Sequence, residues 1–486
     1  MSAPFRIIVG LEVHVELNTA TKMFCRCIND PFNSEPNTHV CPVCLGLPGA
    51  LPTPNAAAIR SILLLGKALG STPNPLSRWD RKHYFYPDLP KGYQISQLDL
   101  PFCVGGSIDL LADDGSVEKT VTFERAHLEE DAGKLMHGSK QGYSQVDLNR
   151  AGVPLVEMVS NPDLENAAQA RKFLQELQLL VRTLGISDAD MEKGQMRCDV
   201  NINVAFTDPA TGKEVRTPIT EVKNVNSSRA VERSIATESQ RQYDEWIAGG
   251  PITTRTSKIT AGWDEDKEKV NVQRAKEGSA DYRYMPEPDL PPVEVFKSDA
   301  LNPDSLVLPK LPNQWRAELV AAGVGMQDVN TLLTIDNMRL IRLKRLEQLL
   351  LKNPSVPTKT IVNWLVNAGE CMRIEDTELL GLIALAEVGE VSFSAVRPKL
   401  AELAPLLTPG ANLKDAVKSL GLLQEHDPAV VESAIEAVLI EQAQAVADYK
   451  AGNERLFGFL VGQVMKRCQG KAQPALINEA LKRALS

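Results

Sequence analysis

The chain has no apolar run long enough to cross a bilayer. Its opening residues, MSAPFRIIVGLEV, hold neither an apolar signal core nor an Arg-rich amphipathic helix. Both absences lead us to expect a cytoplasmic protein of bacterial style without membrane contact. The sequence also lacks a G-x-x-x-x-G-K-[ST] phosphate loop, a G-x-G-x-x-G turn opening a helix, and a G-x-S-x-G elbow. No Gly-Ser-rich stretch offers an amidase nucleophile. Any use of ATP must therefore rest on a less common phosphate site, and any hydrolytic step on a partner.

Cysteine is scarce, with eight in 486 residues, and a reducing compartment argues against a disulfide framework. Four of the eight fall in one window, CRCINDPFNSEPNTHVCPVC (25–44), and the others, Cys103, Cys198, Cys371 and Cys468, read as small buried apolar residues. The window spaces its thiols as C-x-C, thirteen residues, C-x-x-C. Four sulfurs complete a tetrahedral zinc shell and leave no position for a substrate. Cys25, Cys27, Cys41 and Cys44 are thus candidate ligands of a structural zinc, with His39 as a spare. The competing reading is four unliganded thiols.

The chemistry is expected just upstream. In RIIVGLEVHVEL (6–17), Ile7, Val9, Leu11, Val13, Val15 and Leu17 alternate with Ile8, Gly10, Glu12, His14 and Glu16. This period predicts a strand with one face in a core and the other bearing carboxylate, imidazole, carboxylate. Alone, that face suits a metal site and a plain solvated surface equally. The pattern recurs in RCDVNINV (197–204), where Arg197, Asp199, Asn201 and Asn203 share a face. Glu157 interrupts the apolar run PLVEMVS (154–160), and AHLEEDAG (126–133) gathers His127, Glu129, Glu130 and Asp131. A lone Glu at a strand edge and an acidic turn are the bland readings of these two. Several strands sharing an acidic face fit a concave sheet that holds Mg²⁺, since hard cations take carboxylate oxygens and often one imidazole.

DRKHYFYPDLPKGYQISQ (80–97) mixes Arg81, Lys82, His83 and Lys91 with four aromatics, and its prolines and glycine predict a loop with fixed bends. Cations among aromatics suit a nucleotide or an RNA end. The alternative is an ordinary surface loop whose aromatics pack on the core.

Residues 165–185 and the stretch RAVERSIATESQRQYDEW after Asn226 predict helices covering the sheet. The proline-rich segment 286–313 reads as a linker out of the first domain. From about 314 the pattern is helical. Residues 455–486 place Arg455, Lys466, Arg467, Lys471, Lys482 and Arg483 against the single acid Glu479, on a chain of net charge −9. A basic end on an acidic protein suits an RNA backbone, although a solvated helix face would look the same.

GLEVHVEL (10–17), DRKHYFYPDLPKGYQISQ, AHLEEDAGK (126–134), VDLNRAGVPLVEMVSNPD (146–163), MRCDVNINV (196–204), EVKNVNS (221–227) and DYRYMPEPDLPP (281–292) together resemble the B subunits of the aspartyl/glutamyl-tRNA(Asn/Gln) amidotransferases. The resemblance continues to LFGFLVGQVMKRCQGKAQPALINEAL (456–481), and the length matches the bacterial heterotrimeric type.

The resemblance implies an α+β fold. It has a β-rich kinase-like cradle at 1–295 with a zinc insertion at 24–45, a helical domain at 296–410 and a tRNA-binding tail at 411–486. It implies ATP-dependent phosphorylation of the Glu or Asp side chain on misacylated tRNA(Gln) or tRNA(Asn), followed by amidation. An amidase A subunit supplies the ammonia, a small C subunit joins the two, and a larger complex with the non-discriminating synthetase is admitted. Glu12, His14, Glu129 and Glu157 match magnesium-binding positions, with Glu129 or Glu130 as the closer ligand of that pair. Lys82 and Lys91 match positions near an ammonia channel, and Glu130 would deprotonate ammonium. Arg197 and Asp199 would orient ATP or magnesium, and the four cysteines match the zinc-bearing type. A zinc-bearing tRNA-binding scaffold without catalysis, and a stand-alone metallohydrolase built on the E-x-H-x-E strand, are the alternatives from other classes.

Overall fold

The computed structural model describes residues 5–137, 142–208, 211–250, 257–277, 282–334, 338–407, 411–424, 428–450, 453–468, 472 and 474–485. The chain forms two compact units, Met1–Gln314 and Trp315–Ser486.

In the first unit the alternation of residues 6–17 becomes strand β1 (Arg6–Glu16). The other long strands needed below are β4 (Val117–Glu130), β5 (Pro154–Ser160), β6 (Met196–Thr207), β7 (Ile219–Val225), β8 (Ser257–Asp264) and β9 (Lys269–Glu277). They line up in the order β9-β8-β7-β6-β1-β5-β4, and two short strands, Cys103–Val104 and Thr72–Pro73, extend the β4 side. β1 is therefore central, antiparallel to β5 on one side and to β6 on the other. β7 and β8 run parallel.

Three helices bury one side of this sheet. They are α1 (Ala56–Leu69), α2 (Ala167–Thr183) and α3 (Ser228–Ile247). Each starts where a side chain satisfies free backbone N–H groups: Asn55 accepts from Ala57 and Ala58, Asn166 from Gln169, and Ser227 from Ala230. Ile59 and Ile62 of α1, Phe173 and Leu177 of α2, and Val231 and Ile235 of α3 share one core with Val9, Leu11, Val13 and Val15 of β1. Because strand side chains alternate, sealing Val13 and Val15 into that core turns Glu12, His14 and Glu16 to the other face.

The stretch 80–97 departs from the loop expected. β2 (Asp80–His83) pairs with β3 (Tyr93–Ser96), and Met285–Pro286 pairs with the other edge of β2. The prolines that signalled a loop, Pro87 and Pro90, lie only in the connection, where they displace no ladder hydrogen bond. Arg81 locks this hairpin with two bonds to the buried Glu287 carboxylate, at 2.7 and 2.8 Å, and stacks over Tyr93.

The proline-rich segment 286–313 is also not a free linker. Leu290, Val295 and Leu306 enter the first unit's core, and Lys67 Nζ binds the carbonyls of Pro303 and Leu306 at 3.1 and 2.7 Å.

The second unit is helical. Val391 forms an isolated β-bridge with Leu423. Toward its end the helices Pro428–Glu441, Leu456–Arg467 and Pro474–Leu485 pack around Val431, Ile435, Leu460, Val464, Ile477 and Leu481.

Phe173 is fully buried, with its ring 5.8 Å from that of Phe123. Phe173→Ala should destabilise the first unit by about 3–5 kcal/mol through lost burial and a cavity. Its chemical-denaturation midpoint should fall without a change in slope.

Candidate metal-dependent active site

Register brings the polar face together. His14 lies opposite Glu157 on one side and Arg197 on the other, and Glu157 in turn lies opposite His127. One row across four strands thus reads Arg197, His14, Glu157, His127. Glu129 comes from two residues along β4, on the same face as His127. His14 Nε2 is 3.2 Å from Glu157 Oε2 and 3.8 Å from Glu129 Oε1. His127 Nε2 is 3.5 Å from Glu157 and 3.7 Å from Glu129. One ligand atom each of His14, Glu129 and Glu157 lies within 4.8 Å of the others.

A second acidic group forms one row along. Glu12 faces Asp199 across the β1–β6 ladder, and Glu221 of β7 joins them within the same 4.8 Å limit. Asn201 Nδ2 donates to Glu12 at 2.8 Å, Lys223 Nζ is 2.8 Å from Asp199, and Lys258 Nζ is 3.3 Å from Glu221.

The charges are held rather than neutralised. Burial alone would raise Glu157, but His127 and the hydrogen bond from His14 keep its carboxyl well below the usual range. Glu129 is likewise lowered against its burial, chiefly by the hydrogen bond from His127 and by Lys82. Burial would lower His14, yet its bond to Glu157 and the charges of Glu157 and Glu129 lift it to about 9. Carboxylate oxygens plus one imidazole in this arrangement fit a hard divalent cation, which would take the place of the His14 proton. His127 Nδ1 is buried without a hydrogen-bond partner among the described residues.

Glu129 and Glu130, left open by the sequence, point to different places. Glu129 enters the histidine cluster and accepts from Ser96 Oγ at 3.1 Å. Glu130 accepts from the Ile95 N–H at 3.0 Å and pairs with Lys91 Nζ at 2.6 Å. Lys91 and Glu130 lie in the wall of a cavity of about 220 Å³, closed on the other side by Phe24, Cys25, Cys44 and Leu47. Lys82 turns instead toward Glu129 and Glu157, which raise its pKa although burial opposes them, and its ammonium lies over the Tyr282 ring at 5.1 Å.

Arg197 is bound to Asp131 and reaches Glu16 at 3.9 Å. Burial and the facing Asp131 push Glu16 up to about 9, while the cations of Arg197 and Arg150 hold Asp131 low.

The sulfurs of Cys25, Cys27, Cys41 and Cys44 lie within 4.8 Å of one another. The Cys44 thiol is pulled down to about 4 by the Cys25 thiol bonded to it, with burial opposing and the Cys41 N–H assisting. Four converging sulfurs fit a tetrahedral zinc. His39 is engaged elsewhere, its Nε2 2.7 Å from Ser34 Oγ.

Among the basic residues near the end, Arg467 pairs with Glu441 at 2.5 Å and Arg483 with Glu432 at 2.9 Å. Lys482 lies over the Phe457 ring at 5.8 Å. Arg455 and Lys466 make no ion pair among the described residues. Lys471 lies outside them.

Residues 7–300 match the GatB/GatE catalytic domain, and residues 358–485 match the GatB domain. The B subunits of the aspartyl/glutamyl-tRNA(Asn/Gln) amidotransferases of Crocosphaera subtropica and Persephonella marina are each 41% identical over 99% of this chain, covering 98% and 99% of their own lengths. The B subunit of the chloroplastic/mitochondrial glutamyl-tRNA(Gln) amidotransferase of Sorghum bicolor is 39% identical over 98% of this chain and 86% of its own. The chain belongs to the amidotransferase B-subunit family.

Against that family assignment, sequence reasoning grouped His127 with the acids without giving it a role, and missed Glu221 and Lys223 as neighbours of the site. His127 shares the parity of Glu129, and Glu221 and Lys223 share a strand face. That parity was the available signal.

Because His14 is raised above its ordinary 6.5, the His14–Glu157 pair stabilises the metal-free protein fully below that pH and loses its contribution as pH rises through about 9. Metal-free His14→Gln should therefore be less stable than the parent at pH 6, by on the order of 2 kcal/mol. Thermal melts should show that gap closing at pH 10.

Proposed function

We propose that this chain is the subunit of a tRNA-dependent amidotransferase that activates the misacylated amino acid. Its substrate class is glutamyl-tRNA(Gln) or aspartyl-tRNA(Asn), and its cosubstrate is ATP. The observation that carries the reading is the pair of acidic clusters, His14–Glu129–Glu157 and Glu12–Asp199–Glu221, side by side on one sheet face.

Transfer of the γ-phosphoryl group to a side-chain carboxylate is mainly a matter of position and charge. Mg²⁺ bound by these clusters would neutralise phosphate charge and align the phosphates. Lys82, held between Tyr282 and the acids, presents a partly buried cation to the same space. Arg197 lies beside the first cluster and Asp199 belongs to the second, and with Lys223 they are the residues we assign to orienting ATP.

The activated carboxyl must then meet neutral ammonia. Glu130 is placed to accept a proton from ammonium, giving NH₃ and a protonated Glu130, with Lys91 fixing the carboxylate at the cavity wall. Ammonia would come from the amidase A subunit of a heterotrimer completed by a small C subunit. The four-cysteine cluster would hold zinc as a structural centre, since four sulfurs leave no open position. We assign residues 411–486 to tRNA binding by backbone charge and shape. No helix among the described residues is long and apolar enough to cross a membrane. The cytoplasm is the compartment we assign, since a bacterial chain would meet its misacylated tRNA there.

The test uses the complex with its A and C partners, misacylated tRNA, labelled ATP, Mg²⁺ and ammonium. Glu157→Gln should cut tRNA-dependent ADP formation by roughly 100-fold or more, the several kcal/mol a divalent cation supplies, while tRNA still binds. Tight tRNA binding with no nucleotide turnover in the parent complex would leave a binding scaffold instead. In the tail, Arg455→Glu and Lys466→Glu should each weaken tRNA binding and lower its salt slope by about 1. Unchanged affinity would remove these residues from the interface.

A further inference from the structure

Lys22 has no exposed surface. Its Nζ donates to the His39 carbonyl at 2.7 Å and to the Leu148 carbonyl at 3.2 Å, and lies 3.9 Å from Cys44 Sγ. Its backbone N–H donates to the Cys27 carbonyl at 3.0 Å. The residue therefore touches both cysteine pairs and, through Leu148, the body of the first unit. Among the described residues no carboxylate lies within ion-pair distance of it. Glu130, also near Gly152, is already paired with Lys91.

A fully desolvated ammonium is costly even when carbonyl dipoles satisfy its protons, and it calls for a negative neighbour. Without a metal, the Cys44 thiol, which is drawn low beside Lys22, supplies a single negative charge. Four thiolates around a divalent ion carry a net charge of −2, because each ligand cysteine must lose its proton to bind.

We propose that Lys22 is the charge-balancing residue of the cysteine centre: its buried ammonium lies against a metal–tetrathiolate of net negative charge and strengthens metal retention there. This rests on reading the cysteine cluster as a metal site. It assigns Lys22 a positioning and electrostatic role, with no part in the transfer chemistry.

Two explanations of a buried lysine here must be separated. One is charge. The other is a hydrogen-bonded staple joining His39 to Leu148. Lys22→Gln keeps an N–H donor for the carbonyls and removes the charge, whereas Lys22→Arg keeps the charge. The experiment measures metal content of the full chain and the dissociation constant for zinc by competition with a chromophoric chelator, with circular dichroism as the check on folding.

The parent should hold one zinc per chain. Lys22→Gln should bind it about 10–100-fold more weakly, the usual cost of losing an outer partner, and Lys22→Arg should recover most of that loss. In a Cys25→His background the centre carries one negative charge fewer, so the loss caused by Lys22→Gln should shrink. Equal affinity of Lys22→Gln and parent would overturn the proposal, as would an equal fold-loss in both backgrounds. Should Lys22→Gln fail to fold, Lys22→Met, which keeps the stem, takes its place in the same cycle. A parent chain that binds no divalent metal would instead sink the metal-site reading itself.

Discussion

Buried negative charge is the constraint around which the first unit is arranged. Glu129 and Glu157 are almost wholly shielded from water and lie on one sheet face within reach of the same two imidazoles. Two carboxylates in so low a dielectric repel one another and would each prefer to be protonated. They stay ionised because His14, His127 and Lys82 converge on them, and each of those side chains is fixed by a different element. The hairpin at 80–96 brings Lys82, β1 brings His14 and β4 brings His127. The unit is thus built to hold an excess of acid open for a divalent ion, and its helices are confined to the opposite face.

Much of this was legible in the sequence. The alternation of β1 was unambiguous because its apolar parity is unbroken from Ile7 to Leu17. That parity fixed which side chains share the polar face before any partner strand was known. The two covering helices followed in the same way from period and caps, and the α+β class from the resemblance those motifs carry. What could not be read was distance between strands. That His14 sits opposite Glu157, or that Glu221 joins Glu12, depends on the order β7-β6-β1-β5-β4, which no local pattern encodes. The hairpin was misread because proline marks a bend without saying how long the flanking strands are. The strap at 286–313 looked like a linker because its buried anchors, Leu290, Val295 and Leu306, are spaced too irregularly to show a period. Lys22 is nearly invisible in sequence, since a lysine beside a turn normally reads as solvent-exposed.

Placing the cysteine knot far from the acidic clusters in role, yet against the same cavity as Lys91 and Glu130, explains how a loop without catalytic groups bears on the site. Cys25 and Cys44 form one wall of that cavity, and Gly152, held at φ +88°, is the point where the knot and the strand body meet. A side chain at that position would be strained by the backbone alone, although its Cβ would make only ordinary contact with Lys22 and Cys44.

The consecutive placement of Glu129 and Glu130 has a consequence for how this strand can change. One faces the metal-binding cluster and the other the cavity, so the two cannot be moved independently. A one-residue deletion earlier in β4 would rotate every side chain to the opposite face. The run Glu129-Glu130-Asp131 would still offer an acid to each side, because three acidic residues stand in a row. The reach would differ, since an aspartate is one methylene shorter than the glutamate it would replace. Charge at this strand end is therefore tolerant of a slip, while geometry is not. Length variation in this unit is accordingly expected in the turns that precede β4 and not within it.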